Sequence, residues 1–171
     1  MDSKDFKNDF NIYAKLIYRK WLMDAIEKNE YESFKDCVLN LGIEWHVIRT
    51  VKKVKREDFY KNLWDNRKKI QNGTYSGWAE SPYDAYSYES KVCFLINPQY
   101  YKLIYDSKNR DALHKKNCKP ANWQDVVDKY YEKHKGDHEE HKEEFHKSET
   151  DVLKIFEIDY DLRSEVKAKQ L

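Results

Sequence analysis

The sequence predicts an α+β fold, with a helical N-terminal portion packed on a small, mainly antiparallel split sheet. Large apolar side chains recur at helical spacing through the first 42 residues. The apolar run at 91–97, which Pro98 closes, is typical of a short buried strand. The stretch 150–160 alternates like a second buried strand near the C-terminus. Helices followed by short strands therefore favour the mixed class.

Two helices are predicted in the N-terminal portion, residues 1–42. The first covers 4–28, and the second covers 30–41 and ends before Gly42, where a capping glycine is expected. Five apolar side chains of the first helix are predicted to face the core: Phe6, Phe10, Tyr13, Ile17 and Trp21. This portion is expected to pack on the sheet.

The body, residues 43–160, is predicted to alternate strands with helices. Ser81-Pro82 suits the start of a helix, because serine caps helices and proline fits their first turn. Residues 161–171 are expected to form a tail, and 171 residues predict one domain. Strands are expected at 43–54, 74–79, 91–97 and 150–160, and helices at 56–70, 83–90 and 121–134.

Composition narrows the class of protein. Lys and Arg number 32 against 31 Asp and Glu, so the basic excess of a nucleic-acid-binding protein is missing. The 3 cysteines form no CxxC pair, which predicts reduced thiols in a cytoplasm. No apolar run approaches the roughly 20 residues of a membrane span, so no membrane partner is expected. Abundant Lys, Asn, Tyr and Ile are typical of AT-rich genomes, such as those of phages or mobile elements.

A histidine-rich stretch lies between 134 and 147. It carries acidic residues together with His134, His138, His141 and His146. His138 and His141 are three residues apart, whereas the zinc motif HExxH places its histidines four apart. A charged, solvated linker is therefore predicted, and no metal site.

Three motifs in order could carry chemistry. Arg49 lies on the first predicted strand, Ser81 precedes a predicted helix, and Glu149-Thr150-Asp151 enters the last predicted strand. Together they resemble the arginine–serine–glutamate class of ADP-ribosyltransferases over about residues 43–160. The family's Ser-Thr-Ser is Ala79-Glu80-Ser81 here, and Asp151 replaces its second glutamate.

The resemblance implies transfer of ADP-ribose from NAD to a macromolecular acceptor. Arg49 would hold the NAD pyrophosphate through its guanidinium fork. Asp151 would stabilise the oxocarbenium-like transition state. The remaining implied roles are acceptor orientation by Glu149, support of the nicotinamide pocket by Ser81, and stacking by Tyr75, Trp78 or Tyr88.

Besides a nucleic-acid-binding accessory protein, which the charge balance disfavours, two alternatives remain open from the sequence. His46 would replace Arg49 as the NAD anchor if the chain resembles the histidine–tyrosine–glutamate class instead. In the other alternative, the chain is a non-enzymatic binding or inhibitor protein, for example a phage-encoded anti-defence factor. An aromatic content of 15% and a net charge of +1 suit a protein–protein interface.

Overall fold

The computed structural model describes residues 3–134 and 147–168, with side chains described for 11–134 and 152–164. Nine α-helices lie in those ranges: α1 Ser3–Glu27, α2 Tyr31–Glu44, α3 Arg56–Asp65, α4 Arg67–Gln71, α5 Tyr86–Ile96, α6 Pro98–Tyr101, α7 Ser107–Ala112, α8 Trp123–Lys133 and α9 Lys147–Ala168. Four 3₁₀ turns separate them: Ile48–Thr50, Lys53–Lys55, Gly77–Glu80 and Pro120–Asn122.

The predicted α+β class is wrong, because the described part of the chain is all helical and contains no strand. The predictions of helices are confirmed at 4–28, 30–41 and 121–134. The helix predicted at 56–70 is divided into α3 and α4. The fold class was therefore mispredicted because helical and irregular segments were assigned as strands.

The clearest predicted strand, 91–97, belongs to helix α5. Every residue from Tyr88 to Ile96 is buried in this helix, which packs against α1, α4 and α6. A continuous apolar run does not distinguish a buried strand from a helix that is enclosed on all sides. The apolar run at 91–97 therefore predicts a strand where the chain forms a fully enclosed helix.

The last predicted strand, 150–160, lies in helix α9, which continues through most of the predicted tail. The described buried side chains of α9 follow helical spacing: Val152, Ile155, Phe156, Ile158, Asp159 and Leu162. A strand would place Lys154 on the same buried face as Phe156 and Ile158, but Lys154 is only partly buried. The period of 3.6 accounts for this segment better than the period of two.

The other two predicted strands are irregular chain with short turns, apart from residues 43–44, which end helix α2. In 43–54, His46 takes a left-handed φ of 55°, and the turns Ile48–Thr50 and Lys53–Lys55 follow. Few non-glycine residues adopt this conformation, which interrupts any extended strand. In 74–79 the chain enters the turn Gly77–Glu80.

Helix α1 turns a different face inward from the one predicted. Tyr13, Ile17 and Trp21 are 64%, 48% and 52% exposed. The buried face consists of Lys15, Tyr18, Leu22, Ala25 and Ile26. Apolar side chains occur on both faces of α1, and the inward face carries a lysine, so periodicity selected the outer stripe.

Among the described helices, none has the length and apolar character needed to cross a membrane.

Gly42 lies inside α2 rather than just beyond it. The Tyr88 hydroxyl from α5 passes against Gly42 and donates a hydrogen bond to the Val38 carbonyl. A Cβ at this position would clash with the Tyr88 ring. The glycine is therefore explained by the close approach of α5 to α2 and not by capping.

Candidate functional site

A cleft of about 950 Å³ lies among α1, the end of α2, α5, α7 and α9. Four cationic side chains line it, and we call it the basic cleft: Lys15, Lys91, Lys108 and Arg163. Trp45 and Tyr160 add aromatic rings to its wall. Pockets for small molecules commonly measure about 300–1,000 Å³, so the cleft has room for a ligand.

A chain of ion pairs crosses the base of the basic cleft and connects four elements. Lys15 Nζ of α1 lies 2.9 Å from Asp159 Oδ2 of α9. Arg163 of α9 contacts that oxygen at 3.7 Å and Asp106 Oδ2, at the start of α7, at 3.1 Å. Lys91 Nζ of α5 is 3.8 Å from the same Asp106 oxygen. These pairs fix the cations relative to one another.

Asp159 is the best-compensated acid of this network. It is fully buried, and its Oδ1 accepts hydrogen bonds from Asn109 Nδ2 at 2.7 Å and from the Ile104 amide at 3.3 Å. Burial raises the pKa of Asp159, but the charges of Lys15 and Arg163 and the hydrogen bonds outweigh burial, so the pKa is lowered. Asp159 is therefore ionised near neutral pH.

The charge of Lys91 is compensated less completely than that of Asp159. Its side chain is buried, and Nζ donates to Ser87 Oγ at 2.7 Å. The pKa of Lys91 is lowered to about 8, chiefly by burial and also by the nearby cations Arg163 and Lys108. Asp106 and Asp159 act in the opposite direction without cancelling these effects. The lysine therefore lies in an environment that favours the loss of its proton.

The charge balance around the basic cleft favours an anion. Three of its cations, Lys15, Lys91 and Arg163, share the two carboxylates Asp106 and Asp159. Asp159 is largely committed to Lys15 and to amide donors, and Asp106 is shared by two cations. An incoming anion would complete this partial neutralisation.

A second buried polar group lies on α5 and forms what we call the Glu89 cluster, with Asn62, Tyr75 and Ser81. Asn62 Nδ2 donates to Glu89 Oε1 at 3.5 Å and to the Tyr75 hydroxyl at 3.1 Å. Glu89 Oε2 receives no hydrogen bond of normal geometry from any described residue. Burial raises the pKa of Glu89 to about 7, although Ser81 and Asn62 oppose that rise. Glu89 is therefore a buried acid whose carboxyl oxygens are only partly hydrogen-bonded.

The structure places the predicted site residues in several surroundings. His46 lines the basic cleft, whereas Ser81 and Tyr75 belong to the Glu89 cluster. Arg49 is exposed in the turn Ile48–Thr50 rather than on a strand. Trp78 is buried, with its ring 5.8 Å from that of Tyr105.

Glu149 and Asp151 lie near the start of α9, and their side chains fall outside the described residues. His138, His141 and His146 of the histidine-rich stretch lie entirely outside the described residues. Among the residues that the structure describes, no group of three or more His, Cys, Asp or Glu is arranged to hold a metal ion.

Sequence reasoning missed Lys15, Lys91 and Asp159. Each is a charged residue on the buried face of a helix, and such residues are rarely buried without a partner. In α1 and α9, helical numbering places Lys15 with Tyr18 and Leu22, and Asp159 with Ile155 and Phe156. Charges of opposite sign on two apolar faces were the signal that could have indicated this network.

Comparison with protein-family models, curated proteins and solved structures found no significant match. The case for a function therefore depends on the geometry of the basic cleft.

Proposed function

We propose that this chain binds a small phosphate-bearing ligand with an aromatic ring, of the nucleotide type, in the basic cleft. The observation that carries the proposal is the group of four cationic side chains, Lys15, Lys91, Lys108 and Arg163, at the wall of a cleft of about 950 Å³. Phosphate is the common biological anion that this charge suits, and charge-assisted hydrogen bonds to it are strong.

The residues divide naturally between the two parts of such a ligand. Lys108 and Arg163 would contact the phosphate, with Lys91 contributing its charge nearby. Trp45 and Tyr160 would pack against the aromatic ring. Aromatic walls combined with a few polar groups are typical of ligand pockets.

Transfer of ADP-ribose from NAD remains a narrower proposal within this class, because NAD combines a pyrophosphate with aromatic rings. Its support here is the chemistry of the cleft and the position of His46 at the wall. The strand-based fold that the resemblance implied is wrong for the described residues. Release of nicotinamide from NAD would distinguish the transferase from a protein that only binds its ligand.

We expect ADP or pyrophosphate to raise the melting temperature, because a ligand that binds only the native state stabilises it. Lys108→Met should weaken this binding by about tenfold, the cost of one charge-assisted hydrogen bond. The measurement is a thermal-shift titration at low salt, repeated at high salt, where binding should weaken. Lys35→Met is the control, since Lys35 pairs with Glu32 and Glu57 outside the cleft. An unchanged melting temperature with both probes would refute the proposal.

Non-enzymatic protein binding, the alternative function, has one observation in its favour: the exposed stripe of Tyr13, Ile17 and Trp21 on α1. Contiguous exposed apolar side chains mark interaction surfaces. The partner to which we commit is a second copy of the chain. An isologous pair of antiparallel α1 helices would place Ile17 on the twofold axis and Tyr13 of one copy against Trp21 of the other.

We expect sedimentation velocity to show a concentration-dependent dimer, and Ile17→Lys to abolish it by placing like charges at the axis. The variant should keep the melting temperature of the monomer, because Ile17 is half exposed. Val54→Lys, at an 88% exposed position outside the stripe, is the matched control and should leave association unchanged. A monomer at every concentration would contradict this partner.

The place of action belongs to the proposal as well. All three cysteines, Cys37, Cys93 and Cys118, are free thiols, which supports a reducing compartment such as the cytoplasm.

A further inference from the structure

We infer that Lys91 is a nucleophile that forms an imine with the carbonyl group of a phosphorylated aldehyde bound in the basic cleft. The inference rests on the proposed function, because phosphate binding at Lys108 and Arg163 is what would hold the carbonyl beside Lys91. It narrows the ligand class to small molecules that carry both a phosphate and a reactive carbonyl.

The first support is position. Lys91 lies on α5, a helix enclosed by other elements, and only 3% of the residue is exposed although it lines the cleft. Its Nζ donates hydrogen bonds to Ser87, one turn earlier, at 2.7 Å to the hydroxyl and at 3.4 Å to the carbonyl. Packing and hydrogen bonds therefore hold the amine in one geometry, as a reacting group requires.

The second support is the set of charges around the amine. Arg163 of α9 and Lys108 of α7 face Lys91 with positive charge, and Asp106 and Asp159 face it with negative charge. With a pKa of about 8, about half of the Lys91 amines are uncharged at pH 8, against about 0.4% for an ordinary lysine. Burial and a neighbouring cation are the two known ways in which a lysine becomes a nucleophile.

The third support is a proton relay. The uncharged Nζ attacks the carbonyl carbon, the new C–N bond forms, and the carbonyl electron pair moves to oxygen. A proton passes from nitrogen to that oxygen, for which the Ser87 hydroxyl at 2.7 Å is the nearest carrier. The carbinolamine then loses water and leaves the imine, so the step needs no oxidant or reductant.

The test uses pyridoxal phosphate as the phosphorylated aldehyde and pyridoxal, which lacks the phosphate, as the control aldehyde. Each is incubated with the full chain, the imine is reduced with borohydride, and labelled lysines are located by mass spectrometry of peptides. We expect labelling of Lys91 by pyridoxal phosphate to be at least tenfold faster than labelling of Lys35. Pyridoxal should label Lys91 more slowly, and ADP should compete with pyridoxal phosphate.

Two variants separate chemistry from folding. Lys91→Arg keeps the positive charge but forms no imine, so it should lose the label while keeping a cooperative thermal unfolding transition. Ser87→Ala should slow labelling and leave ADP binding intact. The labelling rate should increase with pH, with a midpoint at or above about 8, because bound phosphate favours the charged amine.

The outcomes also distinguish this inference from the proposed function. If ADP binds in a Lys108-dependent manner while Lys91 stays unlabelled, the imine is wrong and phosphate binding stands. Equal labelling of Lys91 and Lys35 overturns the inference as well. If neither ADP nor pyridoxal phosphate binds, both ideas fail.

Discussion

Replacement of Asp159 by asparagine is expected to destabilise the protein by about 3–5 kcal/mol, because it leaves a buried Lys15 ammonium without its counter-charge. The two groups are 2.9 Å apart, and both side chains are almost completely buried. Asparagine keeps an acceptor for Asn109 and the Ile104 amide, so the change isolates the charge. Urea unfolding at pH 7 measures the free energy.

A double variant tests the cause of this loss. Asp159→Asn combined with Lys15→Met removes both charges, and replacing a whole buried ion pair by apolar groups is often nearly neutral. We expect it to recover part of the lost stability, with a residual cost because Arg163 also loses Asp159. Lys35→Met, which breaks half-exposed pairs, should change stability little. A double variant as unstable as Asp159→Asn would show that the pair is not the source.

The pH dependence of Asp159 has a defined sign. Its folded-state pKa lies below the unfolded value of about 3.9, so its stabilising contribution is complete above that value. The contribution is lost as the pH falls through the folded-state pKa. The wild type should therefore lose its advantage over Asp159→Asn during acid titration, which intrinsic fluorescence can follow.

Much of the helical structure could be predicted from the sequence, because apolar side chains recur at helical spacing in α1, α2 and α8, although in α1 that spacing selected the exposed face. The helices α5 and α9 could not be assigned in this way. A helix enclosed by other elements, like α5, carries no polar face that would reveal the 3.6 period. In α9, Asp159 lies on the buried face, and a charge at that position hides the apolar stripe.

The candidate site was harder to predict than the fold. Among the predicted site residues whose side chains the structure describes, only His46 lines the basic cleft. The cations and acids of the cleft come from α1, α5, α7 and α9, which are distant in sequence. Their meeting depends on helix packing, and no local motif encodes it. A short motif cannot connect Lys15 with Asp159, because they are 144 residues apart in the sequence.

Replacement of Glu89 by glutamine is expected to stabilise the protein at pH 8 by up to about 3 kcal/mol. Burial raises the folded-state pKa of Glu89 from 4.5 to about 7, so the folded state holds its proton more tightly than the unfolded state. The stability of the wild type should therefore decline between about pH 4.5 and 7 and then level off. Glutamine stays neutral throughout, and its amide can donate to the Ser81 or Tyr75 hydroxyl.

Urea unfolding of wild type and Glu89→Gln at pH 4, 6 and 8 measures this difference. The two curves should coincide at pH 4, where the wild-type carboxyl is protonated, and separate progressively at higher pH. Glu80→Gln is the control, because Glu80 is exposed in the neighbouring turn. Ser81→Ala should widen the difference at pH 8, since Ser81 opposes the rise in the Glu89 pKa. A Glu89→Gln variant that is less stable at pH 8 would instead mean that the ionised carboxylate has a compensating cation. Because the described neighbours offer only amide and hydroxyl donors, stabilisation is the expected sign.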